Sequence, residues 1–446
     1  MSWPPRYTIL ALLFLLSLVN YIDRVNISIT APVMMPELGW DTARFGVVFS
    51  AFVCGYALFM IPSGLLADTR SPKYLLAVAC FGWSLFTLLT PLGQHAFLLM
   101  LGLRFLVGAF EAASLPAATV INSRWVPRRE LGIAQMISLS GVYAGQLIAY
   151  PLSAWILVTF SWREVFYFNA LAGFLWIVVW LWYGADRPPA STTAELKAAE
   201  PGTQPDEGVH TAERGQSEKA RVPLAALLKT PAVVALAVSY FFWAYGLAMV
   251  VAWLPTYLVQ ARGFSIQQMG WVGMFPVAGG LLGVLGGGIV SDQLAGRGVA
   301  LTWARKGIPA LAIAVSAPFL VVATSIASPT AAVIGFALFQ MITTLGLVAY
   351  WSIPVEMNAR LAGSIASIMN FGGNFGGFFS PMVAGFLAKE TGEWALPFYT
   401  AAAGCLIGAV VLGVCVPVRA IDVAPAVRAG EAAARDVAPE QAGTSV

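Results

Sequence analysis

Apolar stretches of about twenty residues, long enough to cross a ~30 Å hydrocarbon core as helices, recur along this chain at roughly 7–32, 44–66, 74–92, 96–120, 131–157 and 165–184, and again at 230–258, 268–290, 307–326, 329–353, 361–387 and 395–416. The pattern predicts twelve membrane-spanning helices in two sets of six. Between the sets, Asp186 to Lys229 is rich in Pro, Ala, Thr, Glu and Gln and nearly free of large apolar residues, which reads as a flexible linker. The expected organisation is an all-α polytopic membrane protein: a six-helix bundle over 1–185, a linker over 186–229, a second bundle over 230–416, and a charged, alanine-rich disordered tail over 417–446.

Composition agrees with this reading. Hydrophobic residues make up 59% of the 446 residues and charged ones 11%, against about 25% charged in soluble domains. The first apolar run is too long for a cleavable signal and is read as a retained span. Nineteen of the 25 lysines and arginines fall in the loops on the N-terminal side, four fall on the other side, and two lie inside spans. That asymmetry places both termini in the cytoplasm. His95 and His210 are the two histidines, and Cys54, Cys80, Cys405 and Cys415 stand singly. No metal-ligand spacing and no nucleophile arrangement results, so neither a metal, a cofactor nor an enzymatic activity is expected.

The two bases inside spans carry the chemistry. Asp23 and Arg24 sit side by side within the first span, flanked by Asn20, Tyr21 and Asn26, and Arg104 and Glu111 sit seven residues apart in the fourth. A charge at bilayer depth costs roughly 2.5–3.5 kcal/mol, so such groups turn toward a wet interior. Seven residues is nearly two helical turns, which places Arg104 and Glu111 on one face about 10 Å apart. The four deep charges sum to zero. An anionic guest then brings one uncompensated charge into a low-dielectric cavity, at a cost of several kcal/mol, and a proton on Glu111 or Asp23 cancels it. Arg24 is assigned to the substrate carboxylate, since a guanidinium grips it in a fork. Glu111 is assigned to the coupled proton, with Asp23 as a second proton site that pairs with Arg104 in one conformation.

A repeat supports two related halves. Gly64-Leu65-Leu66-Ala67-Asp68-Thr69-Arg70, after the second span, is echoed by Gly288-Ile289-Val290-Ser291-Asp292, followed by Arg297, after the eighth. The glycine suggests a close helix approach, and Asp68, Arg70, Asp292 and Arg297 suggest a charge latch that makes and breaks as the halves rock. Deep in the second half the polar side chains are neutral. They are Tyr240 and Tyr245 on the seventh span, Gln340, Thr343, Thr344, Tyr350 and Trp351 on the tenth, and Asn370 and Asn374 on the eleventh. The glycine-rich Asn370–Gly377 stretch allows either close packing or a locally loosened helix.

The loop repeat, the twelve spans and the six-plus-six division resemble the major facilitator superfamily over nearly the whole chain. Tyr21-x-Asp23-Arg24-x-Asn26, Phe49-Ser50-Ala51-Phe52 with Tyr56, and the run from Arg104 to Ala112 resemble its anion:cation symporter branch. That branch includes bacterial carriers of hexonates, glucarate, hexuronates and phthalate-type acids. The resemblance implies import of a small organic anion with H+ across a bacterial inner membrane by a functional monomer, with no nucleic-acid partner. It implies substrate contacts from Tyr21, Tyr56, Trp351 and Asn370, beside Arg24, Arg104 and Tyr245. Where hexonate carriers show Ser-Gly-Gln on the fifth span, this chain has Ser140-Gly141-Val142 with Gln146 one turn later. Fewer amides facing the cavity point toward a less hydroxylated, aromatic acid. A proton-driven exporter would share the loop repeat without needing two deep arginines.

Overall fold

Backbone donors and acceptors have no water to bond in a bilayer core, so a spanning chain satisfies them within helices. The computed structural model describes residues 5–127, 130–189, 227–296, 303–358 and 361–417, and no strand occurs among them. In the first half α1 (Pro5–Leu38), α2 (Thr42–Thr69), α3 (Pro72–Leu89), α4 (Phe97–Glu111), α5 (Ser114–Trp125), α6 (Leu131–Thr159) and α7 (Trp162–Tyr183) follow in order. The second half holds α8 (Pro231–Gln260), α9 (Ile266–Val272), α10 (Met274–Gly296), α11 (Ile308–Ser325), α12 (Pro329–Leu345), α13 (Leu347–Met357), α14 (Ala362–Thr391) and α15 (Ala395–Val410). Most of the linker and all of the tail after 417 lie outside the described residues.

Three predicted spans are each built from two helices. The fourth breaks at Ala112–Ala113 into α4 and α5, the tenth breaks at Gly346 into α12 and α13, and the eighth breaks at Gly273 into α9 and α10. The breaks in the fourth and tenth fall at matching places, which strengthens the two-fold relation. Eleven segments among the described residues are long and apolar enough to cross a membrane. The remaining long helix, α14, has 30 residues but carries Asn370, Asn374 and six glycines, which dilute its apolarity without shortening it.

Glycine sets how closely the helices cross, and it does so at equivalent places in each half. In the first, Gly55 of α2 meets the Phe105 carbonyl of α4, while Gly108 of α4 meets the Phe52 carbonyl of α2. In the second, Gly283 and Gly287 of α10 rest on the carbonyls of Met341 and Leu345 in α12. Gly372 and Gly376 of α14 likewise lie on Ala237 and Phe241 of α8, so the glycine-rich stretch is a continuous, closely packed helix and not a loosened one.

The halves meet at the end that carries the α1–α2 turn. Lys389 pairs with Asp41 at 3.1 Å, Thr42 Oγ1 donates to the Gly385 carbonyl at 2.7 Å, and Ser50 Oγ donates to the Phe378 carbonyl at 2.6 Å. Phe49 stands edge-on to Trp253, ring centroids 5.0 Å apart. Toward the other end the last hydrogen-bonded link between α2 and α14 among the described residues is Asn370 Nδ2 to Met60 Sδ at 3.6 Å. The close approach expected at Gly64 is absent: no heavy atom lies within 4 Å of a Cβ built there, because this end is splayed, and Asp68 and Arg70 are exposed. Of the matching latch, only the backbone of Asp292 is described, and Arg297 lies outside the described residues.

The closed end gives a contrasted pair of predictions. A Cβ on Gly46 would stand 2.5 Å from the Pro381 carbonyl oxygen and 3.0 Å from Met382 Cα, which are backbone atoms that no rotamer change can move. Gly46→Leu is therefore expected to hold this end open, so that a cysteine replacing Val53 is labelled by an impermeant thiol reagent added from that side. The Asp41–Lys389 pair is exposed and worth at most about 1 kcal/mol, so Asp41→Asn should shift the same labelling by no more than about fivefold. The Arg44 backbone N–H and the Lys389 ammonium hold the Asp41 carboxyl below its usual range. A depressed carboxylate contributes above its ordinary pKa of about 3.9 and is lost as pH falls through the lowered value. Mild acid therefore leaves this latch intact.

Candidate functional site

A cavity of about 320 Å³ lies between the halves. α1 contributes Tyr21, Arg24 and Val25, α2 contributes Phe52, Val53 and Tyr56, and α6 contributes Val142, Tyr143 and Gln146. From the second half come Ala244, Leu247, Ala248 and Val251 of α8, Gln340 and Thr344 of α12, and Gly373, Asn374 and Gly377 of α14. Its lining is apolar apart from one guanidinium, three phenols, three amides and one hydroxyl. Three amides are more than the fifth-span departure suggested, since Gln146, Gln340 and Asn374 reach the cavity from three different helices.

Arg24 is held from several sides. Its Nε donates to Glu111 Oε2 at 3.3 Å, its Nη2 lies 3.3 Å from the same oxygen, and its Nη1 donates to the Tyr21 hydroxyl at 3.3 Å. The guanidinium carbon also lies over three rings, 4.8 Å from the centroid of Tyr21, 5.1 Å from Phe52 and 4.6 Å from Tyr56. The Arg24 side chain is 23% exposed and that of Glu111 is 0%. Arg24 thus stands between the cavity and Glu111. The Gly55–Gly108 crossing fixes this arrangement, because it brings α2 against α4 and seats the Phe52 ring beside both arginines.

Arg104 does not line the cavity. It is 1% exposed, its guanidinium carbon lies 5.2 Å from the centroid of the Phe52 ring, and its Nε and Nη1 have no hydrogen-bond partner among the described residues. Asp23 is fully buried with both carboxylate oxygens likewise unpartnered, within electrostatic reach of Glu111 and Arg104. The expected Asp23–Arg104 pair is thus not formed in this conformation, and the formed ion pair is Arg24–Glu111.

The remaining expected contacts divide. Tyr21 and Tyr56 face the cavity. Tyr245 does not, because the lining positions of α8 are 244, 247, 248 and 251, and the residue after 244 is turned about 100° away. Its ring stacks on Phe241, and it lines a separate crevice with Phe242 and Thr400. Trp351 is displaced from the lining too, its indole N–H donating to the Tyr240 hydroxyl at 3.0 Å. Asn370 lies beside Met60, and Asn374, one turn on, takes its place in the cavity. Tyr143 is a lining residue that sequence reasoning passed over. Its place three residues before Gln146 on one helical face was the available signal.

Two pseudo-symmetric bundles of six spans meet around a central cavity whose described lining holds one guanidinium, that of Arg24. The family model described as Major Facilitator Superfamily matches residues 13–381, and the chain belongs to that superfamily. It is 31% identical over 426 residues to a probable sulfoacetate transporter of Cupriavidus necator, covering 96% of this chain and 97% of the relative. It is also 31% identical to a probable galactarate/D-glucarate transporter of Bacillus subtilis, covering 87% of each. Among solved structures it is similar to a bacterial homolog of the human lysosomal transporter Spinster in an inward-facing, unoccupied conformation. That match has a TM-score of 0.69 at 19% identity and covers 96% of this chain and 98% of that one. The protein is a multi-pass membrane transporter, and not an enzyme.

Proposed function

We propose that the protein imports a hydroxylated organic carboxylate, of the hexonate or glucarate kind, together with a proton by alternating access. The observation that carries this reading is Arg24, the one guanidinium facing the cavity, backed by a fully buried carboxylate. A substrate carboxylate that takes over the Arg24 fork leaves Glu111 without its counter-charge. An uncompensated buried charge costs several kcal/mol, and a proton on Glu111 removes it. Binding of anion and proton then support each other. The tyrosines, amides and Thr344 around the cavity supply partners for substrate hydroxyls, and the relatives named for galactarate/glucarate transport support that class.

Several further assignments belong to the same reading. The bundles are divided at the 186–229 linker, the termini face the cytoplasm of a bacterial inner membrane, and the unit of function is the monomer. The described conformation is then inward-facing, and the Gly64–Arg70 loop engages the second half when the cytoplasmic end closes. A thermal-shift screen of purified protein tests the substrate class, since ligand binding stabilises by mass action: at one hundred times its Kd a ligand adds about 2.7 kcal/mol. D-glucarate is expected to raise the Tm more than benzoate does. A shift with benzoate and none with D-glucarate would return the site to the aromatic reading.

A further inference from the structure

Tryptophan side chains at the centre of this protein nearly all have a place for the indole N–H. Trp162 donates to Glu37, Trp180 to the Lys73 carbonyl, Trp253 to the Pro381 carbonyl and Trp176 to the Leu12 carbonyl. Trp83, fully buried on α3, is the exception: its Nε1 has no partner among the described residues. One neighbour on the same helical face is in the same condition. Thr87 Oγ1, one turn on, is unpartnered, and Cys80, one turn back, lies within electrostatic reach of Asp23 and Glu111. α1 adds Asn20 Nδ2, both Asp23 oxygens and both amide atoms of Asn26, and α4 adds two Arg104 nitrogens and Glu111 Oε1.

These ten unpartnered, buried atoms on α1, α3 and α4 are spread as a column along the axis of the first bundle, where Asp23 lies within electrostatic reach of Glu111, Arg104 and Cys80. From Asn20 to Asn26 along α1, and from Glu111 back to Arg104 along α4, the column rises about 9–10 Å from the level of the Arg24–Glu111 pair toward the closed end. A buried polar group left unmet is destabilising, a charged one more so, and a set of ten is a strong demand for partners. Water inside the bundle, with two to four polar partners per molecule, satisfies such groups at little cost. The Phe52 ring lies beside both guanidinium groups, its centroid 5.1 Å from the guanidinium carbon of Arg24, which lines the cavity, and 5.2 Å from that of Arg104, which does not.

We propose that this column is an internal water chain that carries the coupled proton along the first bundle between Glu111, Asp23 and the level of Asn26, with Asn26, Trp83 and Thr87 as the residues that position it. The inference rests on the proton-symport reading above. A water beside Glu111 takes the proton from its carboxyl, each water in the chain passes one on, and the last gives one to the Asp23 carboxylate. Every O–H bond broken is matched by one formed, and the waters return to neutral. The charged and titratable groups around the chain are Asp23, Glu111, Arg104 and Cys80, with Arg24, Tyr21 and Tyr56 on the cavity lining.

Two experiments test it on the full-length protein. In hydroxyl-radical footprinting, where radicals form from water at the side chain itself, Trp83 is expected to be oxidised at least about tenfold faster than the equally buried Trp180 and Trp253, a difference set by local water alone. Equal rates at the three would overturn the water chain. In liposomes, the double variant Asn26→Leu with Thr87→Val is expected to slow pH-gradient-driven uptake about tenfold more than it slows counterflow at equal pH, with Thr87→Ser restoring the rate. The probe is whichever of D-glucarate, sulfoacetate or benzoate the wild type accumulates. Equal slowing of uptake and counterflow would assign the residues a structural role and overturn the relay. A wild type that ignores the pH gradient with all three probes would instead overturn the symport reading, and the footprint would still decide whether the water is there.

Discussion

Arg24→Ala is expected to lower affinity for a carboxylate substrate about 100-fold or more, and Arg24→Lys to recover only a small part of that loss. A charge-assisted fork contributes roughly 1.5–3 kcal/mol per hydrogen bond to a charged group, and the surrounding cage makes the loss larger. Tyr21, Phe52 and Tyr56 hold a planar guanidinium by its face. A lysine ammonium has no plane to stack and no fork to offer, so the exchange is not conservative here. Its removal also strands Glu111 as an unpaired, fully buried carboxylate, which costs further stability. Equilibrium binding by calorimetry measures the affinity, and a melting curve separates it from unfolding. Arg104→Lys should weaken binding less, because Arg104 is buried away from the cavity lining.

Glu111→Gln is expected to abolish accumulation against a gradient while leaving substrate counterflow in place. Glutamine keeps the size of the side chain and a hydrogen-bonding oxygen for Arg24, and it carries no charge that a proton could neutralise. The loaded carrier can then still rock between its two faces, because the buried site resembles the protonated one. Net uptake driven by a pH gradient is lost. Accumulation that survives in Glu111→Gln would move the coupling to Asp23, the other fully buried carboxylate.

Much of this arrangement was legible in the sequence, for reasons that the structure makes plain. Spans are readable because the bilayer imposes a length and an apolar composition on each one, and the deep charges are readable because they are expensive there. Asp23, Arg24, Arg104 and Glu111 do converge in the first bundle, and Tyr21 and Tyr56 do face the cavity. What the sequence hid was rotation about each helix axis. Tyr245 sits one residue away from the lining stripe of α8, and Asn370 sits one turn away from Asn374, differences that no composition signal resolves. Which acid pairs with which arginine was hidden as well, since that depends on the Gly55–Gly108 crossing, which sets the Phe52 ring beside both guanidinium groups. On the alternating-access reading, the open approach at Gly64 belongs to the inward-facing one of two conformations that a single sequence encodes.

The central claim is that a substrate carboxylate displaces Glu111 from Arg24 and that a proton follows. Proton uptake on binding measures this directly, with purified protein in weakly buffered solution, a pH dye and saturating D-glucarate. The wild type is expected to take up about one proton per bound anion near neutral pH, and Glu111→Gln to bind the anion with little or no proton uptake. Equal proton uptake in the two proteins, or anion binding by the wild type with none, would contradict the account.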